Sequence, residues 1–221
     1  AAPASATATV LMVDDLEHPD VVQHASPTAR IIHVGKRGGC QSTPQAFIEK
    51  LMAQEALAGE KVVRLKGGDP LVFGRGGEEQ QHLRAQGIAV EVINGITAGL
   101  AAAHDLGIAL THRAHAHGVL MITGHASPNP STQRMPAIDW SLIARTAHEC
   151  RLTLVVYMGL NRLQQLSAGL VSVGWALAIA QSIARLLSSI GNNSGLAGII
   201  LICYPLKYRC CYCLTGRYKV L

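Results

Sequence analysis

Short apolar runs alternate with stretches of helical periodicity along most of this chain. Val10 to Val13, Ile31 to Val34, Val62 to Leu65, Ile88 to Ile93, Val119 to Thr123 and Leu152 to Tyr157 are compact runs rich in β-branched residues. Such runs predict strands buried in a sheet. Gln45 to Leu57 instead spaces Phe47, Ile48, Leu51, Met52, Ala56 and Leu57 as one face of a helix, with Gly59 as its stop. Glu78-Glu79 open a further helix that continues through Gln80 to Gln86 and ends at Gly87. Helices are also predicted from Thr97 to about Leu106, over Trp140 to Ala144 and from Leu160 to Val173, with a short one between Asp15 and about Ala25. The first nine residues read as a helix end or a tail.

Strand and helix in alternation predict an α/β fold with a parallel sheet wrapped by helices. The pattern restarts at Val119 after the segment from Arg113 to Gly118, so two α/β domains are expected, 1–113 and 114–221. From Trp175 onward the pattern is atypical, because no Asp or Glu follows Glu149 while Arg and Lys continue to the end. Leu186 to Leu206 is uncharged and approaches the length of a membrane span, but Asn192-Asn193, serines, glycines and Pro205 interrupt it. No membrane helix is expected there. The stretch from Ser127 to Pro136 reads as a surface loop.

Composition narrows the class. The chain is 49% hydrophobic and 4% aromatic, as in an ordinary globular α/β protein, and its net charge of +5 suggests anionic partners. The first residues lack the basic, apolar pattern of a secretory leader, so the six cysteines read as free thiols in a reducing, cytoplasmic setting. Cys203, Cys210, Cys211 and Cys213 crowd together without a C-x-x-C pair, and the spacing of His112, His115 and His117 is not a strong ligand signature.

Glycines mark the candidate chemistry. The string Val62 to Glu79, VVRLKGGDPLVFGRGGEE, runs from a strand into Gly67-Gly68, then Asp69-Pro70 as a helix-start signal, then Gly74, Gly76 and Gly77 around Arg75. It is neither G-x-G-x-x-G nor a P-loop, and a ligand loop and a plain turn with convenient glycines both fit it. A cationic glycine loop, Gly35-Lys36-Arg37-Gly38-Gly39, follows the second strand, and Asp14 closes the first. An acidic residue there serves as a turn former as readily as a functional group.

In order along the chain, VGKRGG at 34–39, the string from Val62, NGITAG at 94–99, GIALTHR at 107–113, ITGH at 122–125 and VVYMGL at 155–160 together resemble the tetrapyrrole methylase family, over Val10 to about Gly174. The resemblance implies two α/β domains with the active site in the cleft between them. It implies S-adenosylmethionine as methyl donor and no metal, with the cofactor held at Gly67, Gly68, Asp69, Val72, Thr97, Ala98 and Met158. Asp14 and Lys36 match the family's proton acceptor and proton donor. Lys66, Arg75, Arg37 and Arg113 are placed to pair with substrate carboxylates, although Arg37 reads equally as a solvated surface charge and Met158 as core filler.

The implied reaction is C-methylation of uroporphyrinogen III at two ring carbons to precorrin-2, on the way to siroheme and cobalamin. The implied assembly is a homodimer working on a small tetrapyrrole, without membrane. Alternatives are a sibling methylase with another substrate, an inactive fragment that still binds a porphyrinogen or nucleoside, and a nucleic-acid-binding module. The last lacks the aromatics such modules interleave with their charges. Relative to the family the match starts one strand late, without the family's G-x-G-P-G-D loop, and lacks an Asn-Gly-Thr turn and closing strands beyond Gly174. Impaired catalysis is expected on that account.

Overall fold

The computed structural model describes residues 2–14, 19–35, 43–105, 107–124, 138–159, 162–172, 174, 199–202 and 211–214. The chain divides into two compact units between Thr97 and Ala98. Sequence periodicity placed the division at 113/114, where the strand pattern restarts. The helix before that restart already packs against a strand of the second unit, with the Gly99 amide bonded to the Tyr157 hydroxyl.

The first unit is built on β1 (Val10–Val13), the middle strand of a three-stranded parallel sheet flanked by β2 (Arg30–His33) and β3 (Val62–Arg64). Val10 lies opposite both Arg30 and Val62. All four β1 side chains are buried. Val10 and Met12 pack with Ile48, Met52 and Ala53 of α2 (Gln45–Leu57) and Leu83 of α3 (Gly76–Ala85). Leu11 and Val13 meet Leu65, Val21, Val22 and Ala25 on the other face, the last three in or next to a 3-10 turn over Pro19–His24. A strand covered on both faces has no solvent side, which is why its sequence is an unbroken apolar run. A short helix, α1 (Ala2–Ala6), precedes it.

Three local expectations are corrected here. Phe47 and Leu57 of α2 are exposed, because the buried stripe runs through Ile48, Met52 and Ala53, and Phe47 lies one residue, about 100°, around the helix from it. Asp69-Pro70 starts a turn and no helix, since Phe73 and Arg75 adopt left-handed φ angles of 54° and 59° that an α-helix does not continue through. The Gly76 amide donates to the Pro70 carbonyl at 2.8 Å, and α3 begins there. Ile88 to Ile93 joins no ladder among the described residues; Ile88 and Val90 only pack against the core.

In the second unit, β4 (Gly118–Thr123) pairs in parallel with β5 (Leu152–Tyr157), from Gly118 opposite Leu152 to Thr123 opposite Tyr157. The helices are α4 (Ala98–Asp105), α5 (Trp140–Glu149) and α6 (Leu163–Ser172). Leu154 and Val156 form a core with Trp140, Ala144, Ala147, Leu163, Leu166 and Leu170. α5 extends well past Ala144. Asp139 caps it, its carboxylate accepting the Leu142 amide at 2.9 Å and the Ser141 hydroxyl at 2.8 Å.

Contrary to the expectation of no closing strands, β6 (Ile199–Ile202) and β7 (Cys211–Leu214) extend this sheet, β6 antiparallel to β5 and β7 antiparallel to β6. The expected loop over 127–136 and the whole of 175–198 lie outside the described residues. Among the described residues no helix is long and apolar enough to cross a membrane.

Candidate active site

A charged cluster stands at the carboxyl ends of β1 and β3. Asp14 follows Val13, and Arg64 closes β3 beside it. The Arg64 Nη2 donates to Asp14 Oδ2 at 2.8 Å while Nη1 donates to the Leu65 carbonyl at 2.8 Å. Behind it, Glu79 Oε1 accepts from Lys66 Nζ and from Gln45 Nε2, each at 3.0 Å, and lies 3.7 Å from Arg64 Nε.

The side chains of Arg64, Lys66 and Glu79 are each less than a tenth exposed, whereas that of Asp14 is 33% exposed. Charges this deep persist only when paired, and here two cations face two carboxylates. The outcome is one carboxylate anchored at Oδ2 and partly open to solvent.

The two glycine loops of this unit are clamped together. Asp69 Oδ1 accepts the Leu71 amide at 2.8 Å, and Oδ2 accepts the Gly95 amide at 3.3 Å. A Cβ on Gly95 would lie 2.1 Å from the Gly68 carbonyl oxygen, so only glycine allows this approach. Gly68 itself has a φ of +78°. Gly67 is exposed, Val72 half-buried, and Leu71, Phe73 and Ile96 leave apolar surface open around the loops. Thr97 is buried at the end of this segment.

In the second unit, Ala98 opens α4 and Met158 follows β5 with a left-handed φ of 53°. The Tyr157 hydroxyl accepts the Gly99 amide at 3.1 Å, and the Tyr157 carbonyl accepts the Gly124 amide at 2.7 Å. Arg113 is exposed, in a turn where the His112 and His115 rings stack at 4.5 Å. Among the described residues, no cluster of three His, Cys, Asp or Glu is placed to hold a metal ion.

The structure therefore brings Asp14 and Lys66 into one cluster, Gly68 and Asp69 into one clamp, and Ala98 and Met158 to either side of Tyr157. Arg75 lies apart from these, its Nε donating to Glu78 Oε2 at 3.0 Å. That bond raises the Arg75 guanidinium above its ordinary value and holds Glu78 below the usual carboxylate range. Lys36 and Arg37 lie outside the described residues.

Sequence reasoning did not single out Arg64, Glu79 or Tyr157. An arginine inside the apolar run VVRL was a readable signal, since a charge there needs a buried partner. Glu79 looked only like a first-turn acid.

The family model for Tetrapyrrole (Corrin/Porphyrin) Methylases matches residues 2–182. The chain is 50% identical to uroporphyrinogen-III C-methyltransferase of Pseudomonas aeruginosa over 169 residues, 76% of this chain and 64% of that protein. It is 46% identical to the chloroplastic S-adenosyl-L-methionine-dependent uroporphyrinogen III methyltransferase of Arabidopsis thaliana over 168 residues, 76% of this chain and 44% of that one. Among solved structures it is similar to uroporphyrin-III C-methyl transferase from Thermus thermophilus complexed with S-adenyl homocysteine. That match has a TM-score of 0.59 at 36% identity, covering 78% of this chain and 68% of the other. The chain thus spans less than two thirds of the two curated relatives named here.

Proposed function

This chain belongs to the tetrapyrrole methylase family, and from that premise we propose that it transfers methyl groups from S-adenosylmethionine to two ring carbons of uroporphyrinogen III, yielding precorrin-2. The observation that carries the reading is Asp14, a carboxylate anchored by Arg64 at a strand end and partly open to solvent. Methylating a pyrrole carbon forms a carbon–carbon bond as the methyl–sulfur bond breaks, and the ring then gives up a proton. Asp14 accepts that proton, and Lys36 is its donor counterpart.

The residues present fit the cofactor. Gly67 and Gly68 expose bare backbone beyond β3, and the surrounding apolar side chains suit an adenosyl group. Gly67, Gly68, Asp69, Val72, Thr97, Ala98 and Met158 would hold S-adenosylmethionine, which supplies an electrophilic methyl on a sulfonium. Asp69 contributes by fixing the two loops, since both its oxygens already accept backbone amides.

Among the cations proposed to meet the substrate's carboxylates, Arg75 and Arg113 are exposed and Lys66 is not. Arg75 pairs with the exposed Glu78, a pair that exchanges at little cost, whereas Lys66 is buried on Glu79. Arg37 would add to them.

Anaerobic incubation of the chain with uroporphyrinogen III and S-adenosylmethionine, followed by mass spectrometry, tests the proposal. A product heavier by two methyl groups is expected. Methylation of a different tetrapyrrole alone would favour a sibling enzyme, and bound S-adenosylhomocysteine with no methylated product would reduce the chain to a binding protein.

A further inference from the structure

Three of the strings that carry the family likeness converge on one residue that none of them was read as using. Tyr157 is 6% exposed, at the last position of β5. Its hydroxyl accepts the amide of Gly99 in the first turn of α4 at 3.1 Å and lies 3.9 Å from Met121 Sδ on β4. Its carbonyl accepts the amide of Gly124 just past β4 at 2.7 Å, and its successor is Met158 with φ 53°. The fit around it leaves no slack. A Cβ on Gly99 would come within 2.5 Å of the Tyr157 hydroxyl, and one on Gly124 within 2.7 Å of the Gly159 Cα.

We propose that Tyr157 is a positioning residue for cofactor binding, fixing the first turn of α4 that carries Ala98 against the β5 end that carries Met158. The inference rests on the reading above that Ala98 and Met158 hold S-adenosylmethionine. The physical case is that Ala98 has no side-chain torsion with which to correct its own position, and that the direction of the Met158 side chain follows from where the end of β5 is held. Ala98 goes where the Gly99 amide is tied. Met158 has a left-handed φ that non-glycine residues seldom adopt, and the Gly124 bond to the Tyr157 carbonyl holds the residue just before it. The Tyr157 hydroxyl therefore sets the Ala98 end, while its carbonyl holds the strand end that leads into Met158.

Calorimetric titration of the full chain with S-adenosylhomocysteine tests this. Tyr157→Phe keeps the ring and removes the tie to Gly99, and it should weaken binding about tenfold, the worth of one well-placed hydrogen bond. Exchange of the Gly99 amide should accelerate in the same variant. Gly99→Ala attacks the same contact from the other side and should also weaken binding.

Leu166→Ala, in the core of the same unit but away from this joint, is the control. It should lower the melting temperature and leave the affinity unchanged. Unchanged affinity in Tyr157→Phe, or equal losses in Tyr157→Phe and Leu166→Ala, would overturn the proposal and leave Tyr157 a packing residue. Failure of the unmodified chain to bind S-adenosylhomocysteine would instead bring down the cofactor reading itself.

Discussion

Glu79 shows how a single side chain can tie a helix to a sheet edge. It sits in the first turn of α3, almost fully buried, and its Oε1 takes bonds from Lys66 and Gln45 while facing Arg64. Removing its charge would leave two buried cations with only Asp14 to oppose them. Glu79→Gln is therefore expected to destabilise the fold by about 3 kcal/mol, the usual cost of breaking a buried ion pair by removing one partner. Urea unfolding measures it, and a loss under about 1 kcal/mol would mean the cluster behaves as a solvated surface pair. Sequence patterning located Asp14 at a strand end and Lys66 in the loop after the run from Val62, because strands and turns are local. The partnership of Arg64 and Lys66 with Glu79 is not local, and nothing in the spacing from Lys66 to Glu79 announces it. The same holds for Gly95, which reads as the glycine of an Asn-Gly turn, whereas the reason for it is the carbonyl of Gly68.

At the scale of elements, the sequence was most legible where propensity and packing agree. α2 begins and ends where Gln45, Leu57 and Gly59 indicated, and β5 spans the predicted run from Leu152 to Tyr157. It misled where local signals compete with a turn: Asp69-Pro70 carries a helix-start pattern, but the Asp69 carboxylate takes the Leu71 and Gly95 amides and the chain turns.

Asp139 is the contrasting case, a true cap. The Leu142 amide first, then the Ser141 hydroxyl, hold its carboxyl below the ordinary range. A folded value below the unfolded one means the cap's stabilisation is complete above the ordinary carboxylate value of about 4 and fades as pH falls through the folded value. Asn caps nearly as well as Asp and does not titrate, so Asp139→Asn should match the parent at low pH and fall slightly behind it near neutrality. Urea midpoints of the two proteins across the acid range check this. A difference independent of pH would contradict it.

For the whole molecule, alternation of apolar runs and helical periods was enough to announce two α/β units, because the runs of β1 and β5 are buried as their composition demands, while Ile31 and Ile93 are exposed. The division at Thr97/Ala98 was harder to see, since α4 joins the second unit through a side-chain bond from a strand far along the chain. β6 and β7 were hidden for a related reason: they are short, and the pairing of β6 with β5 is long-range.

The functional account gathers on Asp14, and one measurement tests it most directly. Methyl transfer to uroporphyrinogen III is followed for the unmodified chain and for Asp14→Asn, with S-adenosylhomocysteine affinity measured on both. The account predicts two methyl groups per tetrapyrrole from the parent and a rate lower by about a hundredfold or more in the variant, at unchanged affinity. Equal rates in the two, or no methylated tetrapyrrole from the parent, would contradict it.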